Sequence, residues 1–274
     1  MTVARIEARF TALAREGRAA FTPYVVAGDP DAETSWRILE GLPAAGADLI
    51  ELGLPFSDPM ADGPAIQRGA ARALAAGMTT EGVLALARRF RRGDSTTPIV
   101  LMGYYNPILN FGPTAFAAAA AEAGVDGLIM VDVPPEESAP LADALDAHDL
   151  ALIRLATPTT DAARLVIIAR RTRGFVYFVS VTGVTGVKEA DAGAIEAQVK
   201  RARAACALPV AVGFGIKTPD RAAEVAKIAD AVVVGSVLVE EISTAIALKR
   251  DPVPKILDTV AAMAHAVRSA RAGG

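Results

Sequence analysis

The sequence predicts an α/β fold, a (β/α)8 TIM barrel formed as a single domain over residues 1–274, with an extra N-terminal helix. Three observations predict it. Eight short apolar runs punctuate the chain, helical patterns fill the gaps, and a loose phrase recurs where one gives way to the other. The phrase is Ala45-Gly-Ala-Asp48 before Leu49-Ile-Glu-Leu52, Ala123-Gly-Val-Asp126 before Gly127-Leu-Ile-Met-Val131, and Lys227-Ile-Ala-Asp230 before Ala231-Val-Val-Val234. Each time a helix ends, a short turn follows and a continuous apolar run begins. Such runs suit parallel strands buried on both faces, and their alternation with helices marks repeated βα units. The length of 274 residues suits a barrel of this kind, which typically takes ~250. An open doubly wound sheet usually places a Gly-rich nucleotide loop after its first strand. Here that position reads Gly28-Asp-Pro-Asp31.

In chain order, the pattern predicts a helix over 3–16 ahead of the first strand, 21–27. A helix over 33–45 leads to strand two, 49–52, and a helix over 81–92 to strand three, 99–102. A helix over 115–123 precedes strand four, 128–131, and one over 136–148 precedes strand five, 151–155. Helices over 161–171 and 192–205 flank strand six, 175–179; strand seven is 210–212. A helix over 219–226 precedes strand eight, 231–234, then come a short amphipathic segment, 237–242, and a last helix, 254–270. Pro- and Gly-rich spots sit singly between units, so no linker divides the chain.

Composition excludes several function classes. Net charge is −3 and the pI about 5.5. The longest basic block, Arg88-Arg89-Phe90-Arg91-Arg92, reads as the solvated end of a helix, which makes nucleic acid a poor partner. The sole cysteine, Cys206, permits no intrachain disulfide and no Cys-based zinc site, and fits a reducing compartment. The first ten residues lack the apolar core of a signal peptide, and the Ala-rich run 116–123 is too short to span a bilayer. A cytoplasmic protein without a membrane partner is expected.

Barrel active sites lie at the C-terminal ends of the strands and in the loops that follow. The richest such stretch is Glu51-Leu-Gly-Leu-Pro-Phe-Ser-Asp-Pro-Met-Ala-Asp62. A strand-end acid, Glu51, faces a Gly- and Pro-rich loop holding Asp58 and Asp62, a layout suited to acid/base chemistry on a small molecule. The other strand ends offer Asp29, Tyr104, Tyr105, Asp132, Tyr177, Gly213, Gly215, Gly235 and Ser236. None offers a lysine for a Schiff base or a histidine for a metal, so metal-free carboxylate chemistry is expected. Plainer roles compete at each position. Glu51 suits a salt bridge; Asp62 suits a turn or helix cap; Asp29 and Asp58 suit their own Pro turns. Asp132 is open to either reading, Tyr177 and Phe214 suit the core, and Tyr104-Tyr105 suit rim packing. Three glycine clusters, 182–186, 213–215 and 235–236, follow consecutive strands. Together they suit a phosphate, with Ser236 opening a helix whose free N–H groups would face it.

These residues resemble a known family, the tryptophan synthase alpha subunits. The resemblance is carried by Pro23-Tyr-Val-Val-Ala-Gly-Asp-Pro30, the stretch 49–67, Leu101-Met-Gly-Tyr-Tyr-Asn-Pro107, Asp132-Val-Pro-Pro-Glu-Glu-Ser138 and Val179-Ser-Val-Thr-Gly-Val-Thr-Gly186. Gly213-Phe-Gly-Ile216 and Gly235-Ser236 complete it. It implies a lyase that cleaves indole-3-glycerol phosphate to indole and glyceraldehyde 3-phosphate in a retro-aldol reaction of tryptophan biosynthesis. By resemblance Glu51 is the general acid/base, Asp62 binds the indole N–H, and Tyr177 orients the glutamate. Tyr24, Met102, Ile129 and Phe214 would wall the indole; Gly186, Gly215, Gly235 and Ser236 would cradle the phosphate. The resemblance also implies a beta-subunit partner in an alpha2-beta2 heterotetramer, with pyridoxal phosphate in that partner and no cofactor in this chain. Val181 stands where some members carry a basic residue, and Lys217 reads as an exposed loop lysine beside the phosphate loops. A phosphosugar isomerase or epimerase, a lyase that releases free indole unassisted, and a non-catalytic activator of a beta subunit are the alternatives.

Overall fold

The computed structural model describes residues 2–179, 192–213 and 215–271, apart from the side chains of residues 192 and 194. It begins with α1 (Val3–Arg15), whose Ile6, Phe10 and Leu13 recur at helical spacing and are buried. They close the N-terminal mouth of the barrel, sharing one interior cluster with Ala20, Leu49, Phe175 and Ala231 from strand starts. The Phe10 and Phe175 rings stand 5.6 Å apart. Burying each such side chain is worth about 1.5–3 kcal/mol, which holds the helix in place as a plug.

The strands are β1 (Ala20–Val26), β2 (Ile50–Gly53), β3 (Ile99–Gly103), β4 (Gly127–Met130), β5 (Ala151–Ile153), β6 (Leu155–Ala156), β7 (Val176–Val179), β8 (Val210–Gly213) and β9 (Ala231–Val234). They form one sheet in the order β5-β4-β3-β2-β1-β9-β8-β7-β6, with parallel pairing throughout. Seven of the expected strands lie within one residue of their predicted bounds. The fifth is divided at Arg154. Its first part pairs with β4 and its second with β7, so this one stretch of chain closes the barrel by changing neighbours. The Arg154 carbonyl keeps the ladder continuous by accepting the Tyr177 N–H at 3.0 Å.

The outer layer comprises α2 (Ala32–Gly41), α3 (Pro64–Ala75), α4 (Thr80–Gly93), α5 (Tyr105–Phe111), α6 (Pro113–Glu122), α7 (Ala139–Asp146), α8 (Ala162–Ala169), α9 (Ala192–Cys206), α10 (Pro219–Ile228), α11 (Ser236–Ala247) and α12 (Val253–Ser269). Two of these, α3 and α5, are absent from the sequence reading, and α11 runs five residues past its expected end at 242. The helix expected over 33–45 stops at Gly41; Leu42 still has helical angles, but Pro43 has no N–H to continue the ladder. That expected over 136–148 starts at Ala139, after a 3-10 turn at Pro135–Glu137.

The recurring sequence phrase becomes a recurring device at the N-terminal end of the barrel. Asp48, Asp126 and Asp230 each accept an N–H at the start of a neighbouring strand: Phe21 at 2.9 Å, Ile99 at 2.8 Å and Val210 at 2.8 Å. Arginines hold each carboxylate from the other side. Arg9 and Arg18 bind Asp48, Arg5 and Arg91 bind Asp126, and Arg203 binds Asp230. Among the described residues no helix is long and apolar enough to cross a membrane.

Candidate active site

At the C-terminal end of the barrel the inward-facing residues surround a cavity of about 120 Å³. Its wall includes Tyr24, Glu51, Asp62, Met102, Tyr177, Gly215, Lys217, Gly235 and Ser236. Sheet register explains the grouping: Tyr24 stands opposite Glu51 across β1 and β2, and Gly53 opposite Met102 across β2 and β3. Residues in register share a face, and here that face is the barrel interior. Ile129 stands opposite Met102 and lies in the same interior cluster, but outside the lining of this cavity. Phe214 and Gly186 lie outside the described residues, as do Val181 and the rest of the 182–186 cluster.

Glu51 is 2% exposed, and among the described residues no ion pair or hydrogen bond holds its side chain. The salt-bridge reading finds no partner among those residues. Burial without a cation pushes its carboxyl up to about 8, with the charge of Asp62 acting in the same direction. Asp62, half-buried, is pushed up to about 6 by burial, against a hydrogen bond from the Tyr104 hydroxyl. The two carboxyls are thus set apart in proton affinity, Asp62 below Glu51, an arrangement that can supply separate acid and base groups.

Tyr104 is the site residue that sequence reasoning placed in rim packing. It is buried at the end of β3, and its hydroxyl also accepts the Ala61 N–H at 2.9 Å. Its ring lies 5.3 Å from that of Phe56, so it ties the 55–62 loop to the barrel at two points ahead of the acid. The available signal was a phenol at a strand end facing an acidic loop. Tyr177 stands on the same wall as Glu51, yet no hydrogen bond joins them among the described residues. Burial and the charge of Glu51 raise its hydroxyl well above its ordinary value.

The other acids have structural work. Both oxygens of Asp29 accept from Arg72, Nε and Nη2 each at 2.8 Å, and Arg72 Nη1 donates to Ser243 Oγ at 2.9 Å. Arg72, on α3, thus ties α3 to α11 and to the loop after β1 that carries Asp29. Asp132 accepts the Tyr105 N–H at 2.9 Å and so pins the start of α5. Asp58 is exposed and accepts from Ser57.

The glycines do two kinds of work. Gly215 takes φ +75°, which few other residues adopt. Gly235 precedes the first residue of α11, and no side chain caps that start, leaving N–H groups for an anion. The second task is making room. A Cβ at Gly53 would strike the Tyr24 hydroxyl, one at Gly235 would come within 2.9 Å of the Tyr24 ring, and one at Gly213 would strike the Tyr177 hydroxyl. Gly213→Ala is expected to cost about 1–3 kcal/mol by overpacking. Adding Tyr177→Phe, which removes the struck hydroxyl, should recover part of that loss. Urea unfolding of the single and double variants checks both. Lys217 is exposed, as its sequence context implies, and stands at the cavity mouth. Among the described residues no cluster of His, Cys, Asp and Glu is arranged to hold a metal ion.

Comparison with known proteins agrees with this geometry. The family model described as tryptophan synthase alpha chain matches residues 10–268. The chain is 66% identical over 271 residues to the tryptophan synthase alpha chain of Phenylobacterium zucineum, covering 99% of this chain and 98% of that one. It is 63% identical over 273 residues to that of Caulobacter vibrioides, covering 100% and 99%. The crystal structure of tryptophan synthase subunit alpha from Legionella pneumophila superposes with a TM-score of 0.90 at 41% identity, covering 97% of this chain and 98% of that chain. A structure of Mycobacterium tuberculosis tryptophan synthase gives a TM-score of 0.87 at 34% identity, covering 96% and 98%. The chain belongs to the tryptophan synthase alpha chain family, the lyases that cleave indole-3-glycerol phosphate in tryptophan biosynthesis.

Proposed function

We propose that Glu51 and Asp62 divide the retro-aldol cleavage of indole-3-glycerol phosphate between them. The observation that carries this reading is their separation in proton affinity within one cavity, about 8 against about 6. Protonated Glu51 donates its proton to C3 of the indole, and the ring nitrogen takes up positive charge. The ionised Asp62, held by Tyr104, accepts the indole N–H and stabilises that charge. The bond from C3 to the glycerol chain then breaks and its electron pair returns to the ring. The hydroxyl on the departing carbon becomes the carbonyl of glyceraldehyde 3-phosphate, and its proton returns to Glu51, which ends as it began. Tyr24 and Met102 wall the indole, with Ile129 behind them and Phe214 assigned by resemblance. Gly215, Gly235 and Ser236 receive the phosphate, joined by Gly186. Tyr177 packs over Gly213 and shapes the wall beside Glu51.

This scheme uses proton transfer and hydrogen bonding alone, and pyridoxal phosphate belongs to a beta subunit that takes the indole within an alpha2-beta2 assembly. The 55–62 loop supports that partner. Met60 on it is 83% exposed, and Pro55, Phe56 and Ser57 line an adjacent hollow of about 610 Å³ with Pro107 and Asn110. A partner seated there touches the loop that carries Asp62, and so couples its own state to the acid. A cytoplasmic setting fits the lone, half-buried thiol of Cys206.

Indole release from indole-3-glycerol phosphate by the purified chain, with and without a tryptophan synthase beta subunit, tests the whole reading. Weak release that rises with the partner supports it. Full release without the partner removes the coupling, and none in either condition removes the substrate. The pH profile tests the roles. The rate requires Asp62 ionised and Glu51 protonated, so kcat/KM should rise through about pH 6 and fall through about pH 8, peaking near 7.

A further inference from the structure

Arg154, at the break between β5 and β6, is a buried cation with an incomplete set of partners. It is 7% exposed. Strand alternation turns it away from the barrel interior, toward the layer of α7 and α8, where Nη2 donates to Ser138 Oγ at 2.6 Å. Its Nε finds no hydrogen-bond partner, and among the described residues it forms no ion pair. The neighbouring acid, Glu136, is held through both oxygens by Arg164. Arg72 shows what the same edge of a guanidinium does when complete, giving Nε and Nη2 to the two oxygens of Asp29. An unpaired buried charge is costly; here burial and the charges of Arg171 and Arg164 act against the cation, and the charge of Glu136 offsets them in part.

Arg154 also lines a cavity of about 350 Å³ between the β4–α7 and β6–α8 loops, with Ser138, Thr160 and Arg164. Asp132 is on the same wall, but both its oxygens face the Tyr105 N–H, at 2.9 and 3.2 Å. We propose that this cavity is a binding site for a small oxyanion, a phosphate or a carboxylate, with Arg154 as its central charge and Arg164 at its rim. The site is separate from the place assigned to the substrate phosphate on β8 and β9. An anion there would offset the guanidinium charge and join two loops of the C-terminal face.

The test is a titration of the ¹⁵N-labelled chain with inorganic phosphate and, in a second arm, with succinate. Saturable shifts at the Ser138 and Thr160 amides are expected with at least one of the two, and the stronger arm identifies the anion class. Arg154→Leu should weaken that response at least about tenfold, while shifts at Gly235 and Ser236 keep their wild-type dependence on phosphate. Leucine in place of an unpaired buried charge is compatible with folding, and the wild-type titration decides the matter independently. Shifts confined to Gly235 and Ser236, or an undiminished response in Arg154→Leu, overturn the proposal.

Discussion

Glu51→Gln is expected to lower turnover of indole-3-glycerol phosphate by about 100- to 10,000-fold, the usual worth of a positioned acid/base. Glutamine keeps the size and the place on β2, so KM should change little and inorganic phosphate should bind as before. A chain that only activates a beta subunit would be indifferent to the change. The same variant reports on stability. The Glu51 carboxyl sits at about 8 in the folded chain, above its ordinary value of 4.5. The folded state thus prefers the proton, and its contribution to stability is complete below about pH 4.5 and lost as pH rises through about 8. The wild type should lose thermal stability relative to Glu51→Gln across that window. Melting curves of both proteins at pH 5 and pH 8 check the sign, and a gap that does not widen with pH would contradict the buried, cation-free carboxyl.

Asp62→Asn should cost roughly 100- to 1,000-fold in kcat, the scale of losing one electrostatic contact to a transition state. Asparagine still reaches the indole N–H, but it cannot offset the positive charge that forms on the ring. The loss should therefore fall on kcat more than on KM. The rise of activity through about pH 6 should vanish with it, since that limb belongs to Asp62. Without the Asp62 charge, Glu51 should titrate lower, moving the alkaline limb toward neutral pH. An unchanged pH profile in Asp62→Asn would detach this residue from the reaction. Steady-state kinetics between pH 5 and 9 separates the two limbs.

The barrel was legible because its strands are fully buried and short, so each left an unbroken apolar run bounded by turns. The elements that escaped notice are those whose signal is weak or local. Segment 64–75 is alanine-rich with Gly69 at its middle, where a Cβ would come within 2.8 Å of Val239; close packing explains a glycine that propensity counts against. Strand five showed as one run because pattern cannot reveal that its two halves serve different neighbours. At the site, Glu51 and Asp62 were visible as acids at the right ends of strands and loops. Tyr104 was visible only as a phenol, since its role depends on where the 55–62 loop folds back. Gly213 read as part of a phosphate cluster, whereas Gly213 and Gly53 also leave space for tyrosines on neighbouring strands. Asp29 read as its own turn former and proved to be paired with Arg72, forty-three positions away.

Asp48 lies three positions before Glu51, at the opposite end of the barrel from the chemistry. By taking the Phe21 N–H it sets how β2 slides against β1, and that setting places Tyr24 across from Glu51. A slip of one residue would turn every side chain of the strand to the other face, sending Glu51 out among the helices. The carboxylates at the floor act as the ruler from which the ceiling is measured, and the aim of the reacting acid is fixed some 10 Å beneath it, at ~3.3 Å per residue.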